Sequence, residues 1–319
     1  MRYLKWPDVV RRFKEDFVLK LDIGPIFNTD VYIAKSGIAG PDGTKRVEVE
    51  EKELVFDIDM DNYDGVRKCG CQGKEVCKEC WQFVNCAVDV LNRVLREDFG
   101  FRHLLFVFSG RRGLHCWVCD RAARQLSEDA RRALVSYINI ENAKTLRRDE
   151  LVHPSLLKAY DLLAKRLPHM AEVHNFLGTK ASEKLERIKE FVSDEKQIIK
   201  LNQLPNDQIW HVGESASHSE LAPTVRRMGF NYAYPKLDVE VSRSNKHLLK
   251  APFCIHPSTG KVCVPLDPNR IDEFDPRRTL TIDQVLTRQQ VVDGPSFQDY
   301  VKFFQAFVED LRKSELKGK

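Results

Sequence analysis

Four cysteines, Cys69, Cys71, Cys77 and Cys80, fall within a dozen residues of one another, in a charged, glycine-bearing stretch with too little apolar material for a core of its own. A C-x-C knuckle followed by a C-x-x-C knuckle presents four soft thiolates, a donor set that favours a closed, tetrahedral Zn²⁺ site with a structural role. Free thiols in a flexible loop are the alternative, and they would leave the stretch with nothing to order it. A second C-x-x-C, Cys116 and Cys119, lies in an apolar strand-like run where positions three apart face opposite ways, so it reads as buried thiols. Cys86, Cys254 and Cys263 read the same way. No apolar run approaches the ~18 residues of a spanning helix. The opening MRYLKWPDVVRRFKEDF is too charged for the core of an export signal. Such a chain is expected to be soluble and intracellular, where clustered cysteines bind metal rather than pair as disulfides.

At 319 residues the chain suits one large domain or two modest ones, and 42% hydrophobic with 31% charged residues is a folded, globular composition. The formal charge of +4 does not by itself predict nucleic-acid binding. The first segment suggests a short helix and then a strand at LDIG, and the turn formers of 26–46 suggest a loop or hairpin. In VEVEEKELVFDIDM the second half alternates, as a strand with two unlike faces does. QFVNCAVDVLNRVLRE carries Val84, Val88, Leu91 and Leu95 at helical spacing. LLFVFSG and LHCWVCD flank a basic turn and read as paired strands. Ser127 is placed to cap the helix SEDARRALVSYI. The stretch from about 141 to 204 is charged helical text, and strand-like text returns in KLDVEVS and in the pair PFCIH and KVCVPL. The last helix carries a Ser296/Asp299 capping-box pattern and an aromatic stripe of Phe297, Tyr300, Phe304 and Phe307, before a loose KSELKGK tail. The expectation is a mixed α/β (α+β) fold: a catalytic core of residues 1–140 and 205–319 with its cysteine loop at 69–80, and an α-helical insertion over 141–204.

The chemistry concentrates at Asp57 and Asp59. Two apart on a strand, they present carboxylates on one side, and each raises the other's pKa unless a cation sits between them. Hard oxygen ligands suit Mg²⁺ or Mn²⁺, although solvated acids on an outward strand face would look the same. Ser109-Gly110-Arg111-Arg112-Gly113-Leu114-His115 places two guanidinium forks, a hydroxyl and a ring donor in a glycine-flanked turn, a match for phosphate oxygens. A solvated basic hairpin turn would look the same taken alone, but acids suited to metal beside a turn suited to phosphate together point to a nucleoside-triphosphate site. Asp238, opening KLDVEVS, is a third carboxylate of the kind two-metal phosphoryl chemistry uses, with Glu240 a weaker candidate on the same face.

LVFDIDMDNYDGVRKC, the Cys-x-x-Cys-Trp after it, FGFRHLLFVFSGRRGLHCWVCD, LDVEVS and HLLKAPFCIHPSTGKVCVPLD together resemble the catalytic small subunit of eukaryotic and archaeal DNA primase, over about 47–120 and 233–275, with the cysteine loop closer to the eukaryotic branch. The resemblance implies that Asp57, Asp59 and Asp238 are the metal-binding catalytic triad. It implies that Ser109, Arg111, Arg112 and His115 hold the incoming triphosphate, and that Lys250 and His256 contact the nucleotide. It further implies DNA-templated synthesis of RNA primers from ribonucleoside triphosphates, by nucleotidyl transfer, to start DNA replication in the nucleus. Implied partners are a primase large subunit in a heterodimer, the DNA polymerase alpha complex, a single-stranded DNA template and the RNA primer, with no membrane. Family members usually carry several dozen residues ahead of the segment resembling RYLKWPDVVRRFKEDFVLKLDIG. Here Arg2 is the last candidate for a remnant of them, and the resemblance leaves two alternatives, a truncated or mispredicted product and a lineage that has shortened this region. Two other classes use the same residues: a metal-dependent sugar-nucleotide transferase with an Asp-x-Asp pair, which has no need of the arginine turn, and a non-catalytic, zinc-stabilised subunit that binds but extends nothing.

Overall fold

In the computed structural model, which describes residues 6–16, 18, 20–28, 48–287 and 294–317, the chain is a mixed helix-and-sheet fold. Its strands are β1 (Asp22–Ile23), β2 (Ile26–Phe27), β3 (Val49–Glu51), β4 (Leu54–Asp59), β5 (Leu104–Phe108), β6 (Gly113–Val118), β7 (Leu249–Lys250) and β8 (Pro265–Leu266). The central sheet runs β4-β6-β5-β8, antiparallel throughout, while β1 pairs with β7 and β2 with β3. β2 and β3 are the limbs expected around 26–46; positions 29–47, like Arg2, lie outside the described residues.

Both faces of the sheet are covered, so its strands are apolar on both sides over most of their length. On one face Leu54, Phe56, Ile58, Phe106, Phe108, Leu114 and Cys116 pack with the Lys78–Arg93 helix, where Trp81, Phe83, Val84, Val88 and Leu91 are fully buried. Trp81 meets the ring of Phe108 edge-on at 5.7 Å, a geometry that adds to simple burial. On the other face Val55, Leu105, Val107 and Trp117 form a smaller core with Val241, Leu249, Ala251, Cys254 and Cys263, roofed by Phe303, Phe304 and Phe307. That roof is the Phe297–Lys317 helix, capped as expected: Ser296 N donates to Asp299 Oδ2 at 2.9 Å, and Asp299 N to Ser296 Oγ at 3.2 Å.

The helical text after 141 forms Pro154–Ala164, Leu167–Val173, Ala181–Lys189 and Glu195–Gln203, followed by Ala222–Ala233, and their apolar side chains join the larger core. The start of β4 is set by Arg131, 1% exposed, whose guanidinium donates to the Glu53 and Leu126 carbonyls at 3.1 and 3.2 Å. A buried cation persists only with such acceptors. Arg131 belongs to the Glu128–Ile138 helix, which Ser127 caps by accepting from Ala130 N.

Two expectations are corrected. KLDVEVS is not a strand: Val239–Arg243 is a short helix with Asp238 as N-cap, its carboxylate accepting from Glu240 N at 3.2 Å. Alternation over so few residues cannot compete with an acceptor side chain that satisfies an orphan N–H of the first helical turn. The Glu240 carboxylate is exposed and pairs with Arg243 at 3.2 Å, so only its backbone N–H meets Asp238. The described part of the KSELKGK tail, 313–317, is not loose either, since helix continues to Lys317 and Glu315 accepts from Arg124 at 2.6 Å; 318 and 319 lie outside the described residues.

Candidate active site

The small second-face core stops abruptly along β4 and β6. Val55 and Trp117 are opposite one another; the next same-face pair is Asp57 and His115, then Asp59 and Gly113. The strand that packs a core at one end therefore offers two carboxylates at the other. Asp238 joins them through the backbone: its N–H donates to the Asp57 carbonyl at 3.0 Å, tying the start of the 239–243 helix to the exposed edge of β4. Burial, then the charges of Asp59 and Asp238, push the Asp57 carboxyl up to about 7, with Lys250 opposing them. Like charges that raise one another are costly, and a hard divalent ion is the kind of group that would relieve them.

Between the ordinary carboxylate range and about 7, the folded chain holds a proton on Asp57 that the unfolded chain has released. Stability falls as pH rises through that window, by about 1.4 kcal/mol per pH unit for one full proton. In divalent-free buffer, the gain in Tm of Asp57→Asn over the wild type should grow from about pH 5 to about pH 7 and then level off; a gain constant with pH would contradict the shifted carboxyl.

The arginine turn closes β5 onto β6. Ser109 N donates to the Gly113 carbonyl at 2.9 Å, and Gly113 N to Ser109 Oγ at 3.0 Å, so the expected hydroxyl is occupied in shaping the turn. A Cβ on Gly113 would lie 2.7 Å from the Ile58 carbonyl, which only glycine avoids. Arg112 is not poised over empty space: its Nε is 2.9 Å from Asp59 Oδ1, and Nη2 pairs with Asp61. His115 Nε2 is 3.7 Å from Asp57 Oδ1, and burial with the charge of Lys250 holds this ring down to about 3, hence neutral.

Behind the turn runs the segment expected as a strand pair. Its limbs bond through Cys263 N to the Cys254 carbonyl at 2.8 Å and His256 N to the Lys261 carbonyl at 2.9 Å. Lys250 Nζ donates to the Ser109 carbonyl at 2.5 Å. His256 is lowered to about 4, by burial first and then by Lys250, Arg111, Arg112 and Lys20, which marks a concentration of positive charge around one ring. The structure thus brings Asp57, Asp59, Asp238, Lys250, His256, His115 and the arginine turn to one place. Composition alone missed Asp61 and Thr259, whose hydroxyl donates to the Gly110 carbonyl at 2.6 Å. An exposed acid and a turn threonine carry no signal until the fold supplies their partners.

The cysteines converge as expected: one Sγ from each of Cys69, Cys71, Cys77 and Cys80 lies within 4.8 Å of the others, compact enough for a single ion. Gly70 and Gly73 turn the loop with φ of +91° and +53°, and Cys77 and Cys80 begin the Lys78–Arg93 helix. Arg67 staples the loop, donating to the Glu75 and Gly73 carbonyls at 2.8 and 3.0 Å and to Asp64 at 2.6 Å. Among the described residues no helix is long and apolar enough to cross a membrane.

Fold and site together define a mixed α/β protein that sets a carboxylate cluster against a cationic, glycine-flanked turn, with a cysteine metal loop alongside. Residues 56–268 match the family described as DNA primase small subunit. The chain is 35% identical to the DNA primase small subunit of Drosophila melanogaster, over 87% of this chain and 68% of that one. It is 35% identical to that of Saccharomyces cerevisiae, over 83% and 70%. An archaeal small subunit, from Halorubrum lacusprofundi, is more distant at 27% over 74% and 64%. This chain belongs to the DNA primase small-subunit family.

Proposed function

We propose that this chain is the catalytic subunit of a DNA primase, a nucleotidyltransferase that joins ribonucleotides on a single-stranded DNA template. The observation that carries the reading is the Asp238–Asp57 backbone hydrogen bond, which supports a shared site for carboxylates from distant segments beside the arginine turn. In this reading Asp57, Asp59 and Asp238 hold Mg²⁺ or Mn²⁺. Ions bound there supply activation of the attacking hydroxyl and neutralisation of charge on the leaving pyrophosphate.

The rest is positioning and electrostatics. The 3′-hydroxyl of one ribonucleotide attacks the α-phosphorus of the next, and no covalent nucleophile from the protein is needed. Arg111, Arg112 and Lys250 clamp the triphosphate, with Arg112 leaving Asp59 for phosphate as the nucleotide enters. Neutral His115 and His256, both held below their ordinary range, serve as hydrogen-bonding groups rather than charges. The cysteine loop holds Zn²⁺ structurally. Expected partners are a primase large subunit and, through it, the DNA polymerase alpha complex, in the nucleus.

Incorporation of labelled ribonucleotides on single-stranded DNA, with the large subunit supplied, tests the reading. Product should form without a pre-existing primer, and its absence with either metal would overturn it. Arg112→Ala should raise the ribonucleotide KM by about tenfold or more, as loss of a bidentate phosphate partner does; an unchanged KM would remove Arg112 from the clamp.

A further inference from the structure

The arginine turn faces the site because its back is fastened. The Ser109 carbonyl accepts from Lys250 Nζ and, at 3.2 Å, from Cys263 Sγ; the Gly110 carbonyl accepts from Thr259 Oγ1 at 2.6 Å. A peptide is planar and trans, so a carbonyl pinned to one side aims the next N–H to the other. With both carbonyls drawn toward the 254–263 hairpin, the N–H groups of Gly110 and Arg111 are turned away from it, and neither meets an acceptor among the described residues. Successive amides presented in this way form an anion-binding concavity.

Thr259 is the hinge pin of that arrangement. Lys261 N donates to its Oγ1 at 3.2 Å, which leaves the hydroxyl proton directed at Gly110 and fixes an otherwise free rotor. The approach is close: Gly110 has φ +87°, and a Cβ there would lie 2.7 Å from His256 Cβ. The same tight turn carries His256, whose carbonyl accepts from Thr259 N at 3.2 Å and Gly260 N at 2.9 Å. One side chain therefore ties the hairpin bearing His256 to the turn bearing Arg111 and Arg112.

We propose that Thr259 is a positioning residue for triphosphate recognition: its hydroxyl sets the 110–111 peptide so that the turn's amides and guanidinium groups converge on the anion. The proposal rests on the reading of this turn as the triphosphate clamp. Thr259→Val keeps the shape and removes the hydrogen bond. Titration of the intact chain with GTP and Mg²⁺ should show affinity about tenfold weaker, as loss of one well-placed hydrogen bond would give. Binding of Mn²⁺ alone should stay within about twofold, because the carboxylates stand on other elements. Thr259→Ser should recover most of the GTP affinity, and Thr259→Ala serves as a second deletion if the valine variant is poorly folded. Wild-type GTP affinity in both deletion variants would overturn the proposal. So would parallel loss of GTP and Mn²⁺ binding, or failure of serine to rescue, since either reports general distortion. GTP affinity unchanged by Arg112→Ala in an otherwise wild-type chain would instead defeat the clamp itself, an outcome separate from the Thr259 result.

Discussion

Asp59→Ala is expected to reduce ribonucleotide incorporation by about a thousandfold or more while leaving the protein folded. The size follows from the proposed chemistry: with no protein nucleophile, the barrier would be lowered mainly by charge stabilisation, and several kcal/mol of it would pass through metal-held carboxylates. The selectivity follows from the structure. Asp59 ends β4, its side chain is 42% exposed, and its same-face neighbour on β6 is a glycine, so truncation opens no cavity in either core. Metal content at the cysteine loop and the unfolding midpoint should be close to wild type. Asp57→Asn should be equally inactive yet more stable than wild type at neutral pH without divalent ions, since it removes a buried charge that its neighbours oppose. Inactivity combined with added stability distinguishes a residue kept for function from one kept for folding. Activity within tenfold of wild type in Asp59→Ala would end the two-metal reading.

Cys77→Ser should release about one equivalent of zinc and lower stability by several kcal/mol, because metal binding by an otherwise coreless loop is itself folding free energy. The effect should spread beyond the loop. Cys77 and Cys80 start the Lys78–Arg93 helix, and the next residue, Trp81, is fully buried against Phe108 and Phe274. Loosening the first turn therefore disturbs the layer beneath β4. Elemental analysis of the purified protein and denaturant unfolding check both parts. Zinc retained in full by the serine variant would remove Cys77 from the ligand set, and zinc lost without a change in midpoint would mean that Arg67 and the helix hold the loop unaided.

What the sequence revealed depended on how local the signal was. The Asp57/Asp59 pair, the cysteine knuckles and the caps at Ser127 and Ser296 each sit within a few residues, where strand or helix periodicity and side-chain chemistry suffice. The 239–243 segment was misread because two valines in alternation look like a strand, while the deciding feature was Asp238 acting as a cap. The occupation of Ser109 and Arg112 by neighbours, and the roles of Asp61 and Thr259, depend on contacts between segments far apart in the chain. The Phe297–Lys317 stripe was visible as apolar, but its use as a roof over the Val55/Trp117 face follows only from sheet order.

The hydrogen bond from Asp238 to the Asp57 carbonyl has a consequence for biosynthesis. The two acids of β4 leave the ribosome well before their third companion, which emerges only after every helix from Pro154 to Ala233. A nascent chain, or a fragment cut anywhere in that helical stretch, would carry the two acids and the arginine turn yet lack a closed metal cradle. On the proposed reading, competence for catalysis thus waits in translation for Asp238.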